Sequence, residues 1–95
     1  MIKMKENHTH KLKTWPIYYK MIISGLKKFE LRKNDRNFQV GDKLILQEYH
    51  PGLKSYTGNE IHVKVDYILH GPQFGLMEGF CAMSIDVPEE KHTGQ

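Results

Sequence analysis

The spacing of apolar residues along this chain predicts a series of short strands and one early helix. In "IHVKVDYIL", Ile61, Val63, Val65, Tyr67 and Leu69 alternate with polar residues through Asp66, the period of a half-buried strand. Lys27 to Lys33 repeats every two residues as well, with Phe29 and Leu31 on one face and Lys28, Glu30 and Arg32 on the other. "KLILQEYH" reads as a further strand, and "FCAMSIDV" as a last one, stopped by Pro88. "LKTWPIYYKMIISGLK" has the different period of a helix of two to three turns. Pro16 suits its first turn, where a missing N–H costs nothing, with Thr14 or Trp15 at the N-cap. Tyr18 with Ile22 and Tyr19 with Ile23 form i,i+4 pairs on one apolar face, and Gly25 supplies the left-handed stop.

The connections carry turn chemistry. "NDRNFQVGD" is a loop ending in a Gly41–Asp42 turn, "PGLKSYTGNE" a hairpin connection, and "HGPQFGLMEG" a glycine-rich loop. Residues 1 to about 9 and 88–95 are polar and without period, and are expected to be loose. Helix, strand, loop, strand, hairpin, strand, loop, strand in one 95-residue domain implies an α+β fold built on a small curled sheet or barrel.

Composition narrows the function classes. A formal charge of +3 is a mild basic bias, compatible with an anionic partner. One cysteine, Cys81, excludes an internal disulfide and a sulfur-rich zinc site, and its place beside Met83 and Ile85 in an alternating strand makes it a buried, inert thiol. The six histidines are scattered and predict no metal site, and no cofactor motif, neither GxGxxG nor GxxxxGK[ST], occurs. Ser24, Ser55 and Ser84 stand in no nucleophile elbow. No signal-peptide h-region and no membrane-length apolar run is present, so the cytoplasm is the expected compartment.

The chemistry concentrates in "SGLKKFELRKNDR". Five of the ten residues from Lys27 to Arg36 are cationic: Lys27, Lys28, Arg32, Lys33 and Arg36. An edge strand shielded by lysines would show the same charge. Three features favour recognition. Glu30 and Arg32 share a face at i,i+2 and read as an exposed ion pair that presents an acceptor beside a fixed fork of donors. Asn34 adds donors and acceptors where the chain turns. The helix ending at Gly25 places a crevice alongside, and Trp15 at the helix entrance is either a core anchor or a platform for a stacked base.

Gly25, Lys27, Glu30 and Arg32 form the pattern G-x-K-x-x-E-x-R. With His10–Pro16, "RKNDRNFQVGD" and "YILHGPQFGL", this resembles small stand-alone bacterial and phage ASCH domains, the activating-signal-cointegrator homology group of the PUA-like superfamily, over residues 10–87. The resemblance implies a five- to six-stranded PUA-like β-barrel with flanking short helices, and an RNA or nucleotide ligand in a basic cleft. Lys27, Arg32 and Lys13 would contact phosphate, with Lys33 and Arg36 nearby; Glu30 would accept from a base edge or hold Arg32; Gln73 and Phe74 would wall the cleft. Some ASCH-like proteins are instead ribonucleases, or amidohydrolases of acylated cytosine nucleosides that use a threonine nucleophile with lysine and glutamate. Lys27 matches that lysine, but Glu30 stands at the threonine position.

Overall fold

The computed structural model describes residues 6–88; residues 1–5 and 89–95, most of the expected loose ends, lie outside them. Five strands and one helix follow in the order β1 (Thr9–Thr14), α1 (Pro16–Ile23), β2 (Phe29–Lys33), β3 (Lys43–His50), β4 (Ser55–His70) and β5 (Phe80–Asp86). They form a single curled sheet, a half-barrel of order β1-β3-β4-β5-β2, with β1 parallel to β3 and every other pair antiparallel. Among the described residues α1 is the one α-helix, where flanking helices were expected.

The core fills the concave side of the sheet. Leu44 and Leu46 of β3, Ile61, Val63 and Val65 of β4, and Cys81, Met83 and Ile85 of β5 all point inward, and Phe38 from the loop before β3 is buried with them. The alternation of β4 does not run to its end. Its register on β5 slips between Val65 and Tyr67, and this bulge reverses the side-chain parity. Ile68 enters the core, and Tyr67, expected inside, is exposed. Periodicity in the sequence gives no sign of such a one-residue slip.

Two further expectations change at the N-terminal end. Residues 12–14 belong to β1 and not to the helix, which begins at Pro16 with Trp15 as N-cap. The helix buries Tyr19 and Ile22 against the sheet, an i,i+3 pair, so Tyr18 and Ile23 face outward. Gly25, at φ +85°, ends it in the left-handed region. Nor is the chain loose up to residue 9. Fully buried Asp42 accepts from Asn7 Nδ2 at 3.2 Å and His8 N–H at 3.0 Å through Oδ1. Its Oδ2 accepts from Gln39 N–H at 3.0 Å and meets His10 Nε2 at 2.8 Å. A Cβ on Gly41, at φ +95°, would stand 2.7 Å from Asn7 Oδ1, so the turn that carries Asp42 needs glycine there.

The sheet edges β1 and β2 have no backbone ladder between them. Two guanidinium groups span the gap instead: Arg32 Nη2 donates to Lys13 O at 2.9 Å, and Arg36 Nη1 donates to Lys11 O at 2.9 Å. At the far end, Ser55–Glu60 is exposed throughout and pairs with β3 as a projecting two-stranded arm. The hairpin connection is therefore residues 51–54, shorter than its turn-rich sequence suggests.

Candidate nucleic-acid interface

A cleft of about 460 Å³ opens where the start of α1 faces β2. Each lining element follows from local sequence. The extended N-cap residue Trp15 and Tyr18, three positions later on the helix, present their rings together, stacked at 6.2 Å between centroids and 24° between planes. Strand β2 delivers Phe29, Glu30, Leu31 and Arg32, and Lys27 leads into it. Thr14 and Lys13 close the cleft from the end of β1.

Glu30 is the electrostatic centre. The polar face of β2 turns inward, so this carboxylate is only 3% exposed and not the solvent-facing partner expected from sequence. Its Oε1 accepts from Arg32 Nε at 2.8 Å and its Oε2 from Lys27 Nζ at 3.2 Å. Burial of a carboxylate is tolerable only with such partners. Lys27 also donates to Phe29 O at 2.7 Å and lies 4.6 Å from the Phe29 ring centroid. Arg32 continues to Lys13 O and makes a long contact of 3.5 Å to Thr14 Oγ1, while among the described residues its Nη1 has no protein acceptor. The outward face of β2 leaves Phe29 and Leu31 half-exposed, an apolar rim beside the charges.

Of the residues singled out in the sequence, Lys13, Trp15, Lys27, Glu30 and Arg32 converge on this cleft. Lys13 does so with a twist: its carbonyl receives Arg32, while its ammonium sits 4.4 Å over the Tyr49 ring on β3. The others lie outside the lining. Lys33 is exposed at the end of β2. Asn34 accepts from Phe38 N–H at 2.9 Å, which shapes the following loop, and Arg36 is committed to β1. Gln73 donates to His70 O within its own turn, and Phe74, at φ +51°, is 91% exposed. Sequence reading missed Thr14, Tyr18, Phe29 and Leu31 as lining residues; for Tyr18 the signal was its i,i+3 spacing from Trp15.

Elsewhere, burial pushes the Cys81 thiol up, consistent with an inert core cysteine. Among the described residues no three His, Cys, Asp or Glu side chains converge to hold a metal, and no helix is long and apolar enough to cross a membrane.

Residues 9–85, which include all of the sheet but the last residue of β5 and every cleft residue, match the family described as Domain of unknown function (DUF3850). The chain belongs to the DUF3850 family. This DUF3850 domain is also similar to an uncharacterized 12.9 kDa protein in the GpA 3′ region of Escherichia phage P2, at 36% identity over 56 residues, or 59% of this chain. The matched stretch spans 50% of that phage protein's length.

Proposed function

We propose that this DUF3850 domain is an RNA- or nucleotide-binding module of the ASCH, PUA-like kind, with the cleft between α1 and β2 as its ligand site. The observation that carries the reading is the meeting of three aromatic faces, Trp15, Tyr18 and Phe29, with a buried Glu30 that aims Lys27 and Arg32. A base has a π-face that any of these rings can stack on, and its phosphate needs cations at the mouth. Arg32 retains a guanidinium nitrogen for an incoming oxygen, and buried Glu30, with both oxygens engaged, serves to hold Arg32 and Lys27 in place. The curled five-stranded sheet is compatible with the PUA-like assignment in strand number, while among the described residues it carries one α-helix where that assignment implies flanking helices.

The test is fluorescence polarisation of labelled single-stranded RNA across a salt series. Three engaged cations, Lys13, Lys27 and Arg32, give a slope of log K on log salt of about −2, at roughly −0.7 per phosphate contact. A flat response, or no binding at low salt, overturns the proposal.

A hydrolytic reading has one observation in its favour: buried Thr14 shares the cleft with Lys27 and Glu30. The polar neighbour of its hydroxyl is the Arg32 guanidinium, which cannot take up a proton. Acylcytidine turnover that disappears in Thr14→Val and Lys27→Ala would replace binding by catalysis; the expected result is none above background.

A further inference from the structure

The aromatic surface does not stop at the cleft. Lys13 lines it and also places its ammonium 4.4 Å from the centroid of Tyr49, which meets Tyr56 edge to face at 5.0 Å. In the parallel ladder Lys13 lies opposite Gln47 and Thr14 opposite Glu48, so Tyr49 stands level with Trp15, one step beyond the last rung. Adjacent strands run about 4.8 Å apart. Two ring pairs, Trp15–Tyr18 and Tyr49–Tyr56, therefore flank the end of β1 with a lysine between them. Trp15 still has extended backbone, φ −63° and ψ 149°, so its side chain leaves β1 on the same side as Lys13's.

Lys13 is the cation at the second pair, and the acids near it each have a partner of their own. Glu48, the acid adjacent to Tyr49, is turned away and buried, its Oε1 accepting from Thr57 Oγ1 at 2.8 Å and Asn59 Nδ2 at 3.0 Å. Glu60 is taken up by His62 at 3.0 Å. The surface between the two ring pairs thus presents Lys13 with no exposed carboxylate beside it that lacks a partner among the described residues.

We propose that the ligand is a single-stranded oligonucleotide that stacks one base in the cleft and another on the Tyr49–Tyr56 arm, with Lys13 against the phosphate that joins them. A free mononucleotide fills only the first half of this surface. The inference rests on the cleft reading above and goes further by naming the size of the ligand.

Trp15 is the single tryptophan and lines the cleft, so its emission reports occupancy of the first platform without a label. Titration with a 5′-mononucleotide and with RNA of two to six nucleotides gives the length dependence. Affinity should rise between one and about three nucleotides by roughly five- to 150-fold, the value of one stacked base, and then level off. The double variant Y49A/Y56A should erase that gain and leave mononucleotide affinity unchanged. Lys13→Gln keeps the carbonyl that Arg32 uses and removes only the cation, so it should lower the salt slope for the oligonucleotide by about 0.7. This second variant stands if the tyrosine pair proves necessary for folding. Three results overturn the inference while sparing the cleft: a mononucleotide that binds as tightly as the trinucleotide, tyrosine variants with unaltered length dependence, or a polyglutamate peptide that competes as well as RNA does. Failure of the wild type to bind either nucleotide or oligonucleotide overturns the cleft reading itself.

Discussion

Replacement of Glu30 by glutamine tests the centre of the site most directly. The substitution keeps volume and removes charge. Glu30 accepts from two cations, Arg32 Nε at 2.8 Å and Lys27 Nζ at 3.2 Å. A glutamine amide offers one oxygen to one of them and turns an NH2 group toward the other, so one charge-assisted bond is lost, worth about 1.5–3 kcal/mol. Removal of one partner from a fully buried pair costs about 3–5 kcal/mol, but that figure is an upper bound here. The Arg32 and Lys27 side chains remain 25% and 19% exposed, and water stabilises the cations left behind. A loss of about 2 kcal/mol follows.

For a domain of this size each kcal/mol moves the melting temperature by roughly 4–8 °C, so Glu30→Gln should melt about 8–16 °C lower by circular dichroism. An exposed ion pair would contribute only about 0–1 kcal/mol, and the expected shift would then be within a few degrees. RNA affinity, measured well below the variant's melting point, should fall about tenfold, because Arg32 loses the group that aims it. A melting temperature within about 3 °C of the parent would refute the buried, doubly paired carboxylate. Reduced melting with unchanged or tighter RNA binding would leave Glu30 with a structural duty alone.

Three other perturbations probe the frame around the site. Burial pushes the Asp42 carboxyl up, but the His8 and Gln39 N–H groups, the His10 ring and the Asn7 amide outweigh it and hold the carboxyl below its ordinary value. A depressed carboxylate stabilises the fold above its unfolded-state value, near 3.9, and that contribution is lost as pH falls through the lower folded value. Melting temperature should therefore be level from pH 7 to about 5 and decline below about 4, with a shallower decline in Asp42→Asn; an identical acid profile in that variant would refute the assignment. Arg36→Gln removes the 2.9 Å bond to Lys11 O and should cost about 0.5–1 kcal/mol, with faster amide exchange in β1 and unchanged exchange in β4. Gly71→Ala would place a Cβ 2.0 Å from Met77 O, a backbone atom with little room to yield, and should destabilise by about 1–3 kcal/mol in a denaturant titration.

Much of the site was legible because its chemistry is local in sequence. Lys27, Glu30 and Arg32 lie within six residues, and strand alternation alone puts Glu30 and Arg32 side by side. Alternation does not say which face turns inward, and the apolar Phe29 and Leu31 pointed to the wrong one. Strand β1 was hidden for a different reason. "THKLKT" buries only Leu12 and Thr14, and its lysines look like the polar side of a helix continuing into "WPIYYK". Its identity as a strand depends on a parallel partner more than thirty residues away, which no local pattern reveals. The same applies to Arg36 and Asn34. Their side chains suit ligand binding as well as they suit a backbone carbonyl or a turn N–H, and only the fold decides between these partners.

The cleft and the open seam of the half-barrel have one cause. A backbone ladder between β1 and β2 would hold these edges about 4.8 Å apart and leave no space for a ligand. A guanidinium on a long side chain reaches across a wider gap, so closure by Arg32 and Arg36 holds the edges together and keeps them apart at the same time. The gap has to be lined with something that tolerates partial burial, which is why a carboxylate lies at its floor and aromatic rings lie along its rim. Glu30 fixes Arg32 through Nε and Lys13 O fixes it through Nη2, which leaves Nη1 without a protein acceptor among the described residues. Bonds to an ionised acceptor are roughly twice as strong as those to a neutral one, so a phosphate there would draw on Arg32 without releasing the carbonyl that seals the sheet. Binding and closure then reinforce each other. RNA should raise the melting temperature of the wild type, and in Arg32→Lys, which keeps the charge and loses the planar fork, both that rise and the protection of β1 amides should diminish together. If ligand stabilisation survives intact while β1 protection is lost, the seam and the site are separate, and the arginine serves the fold alone.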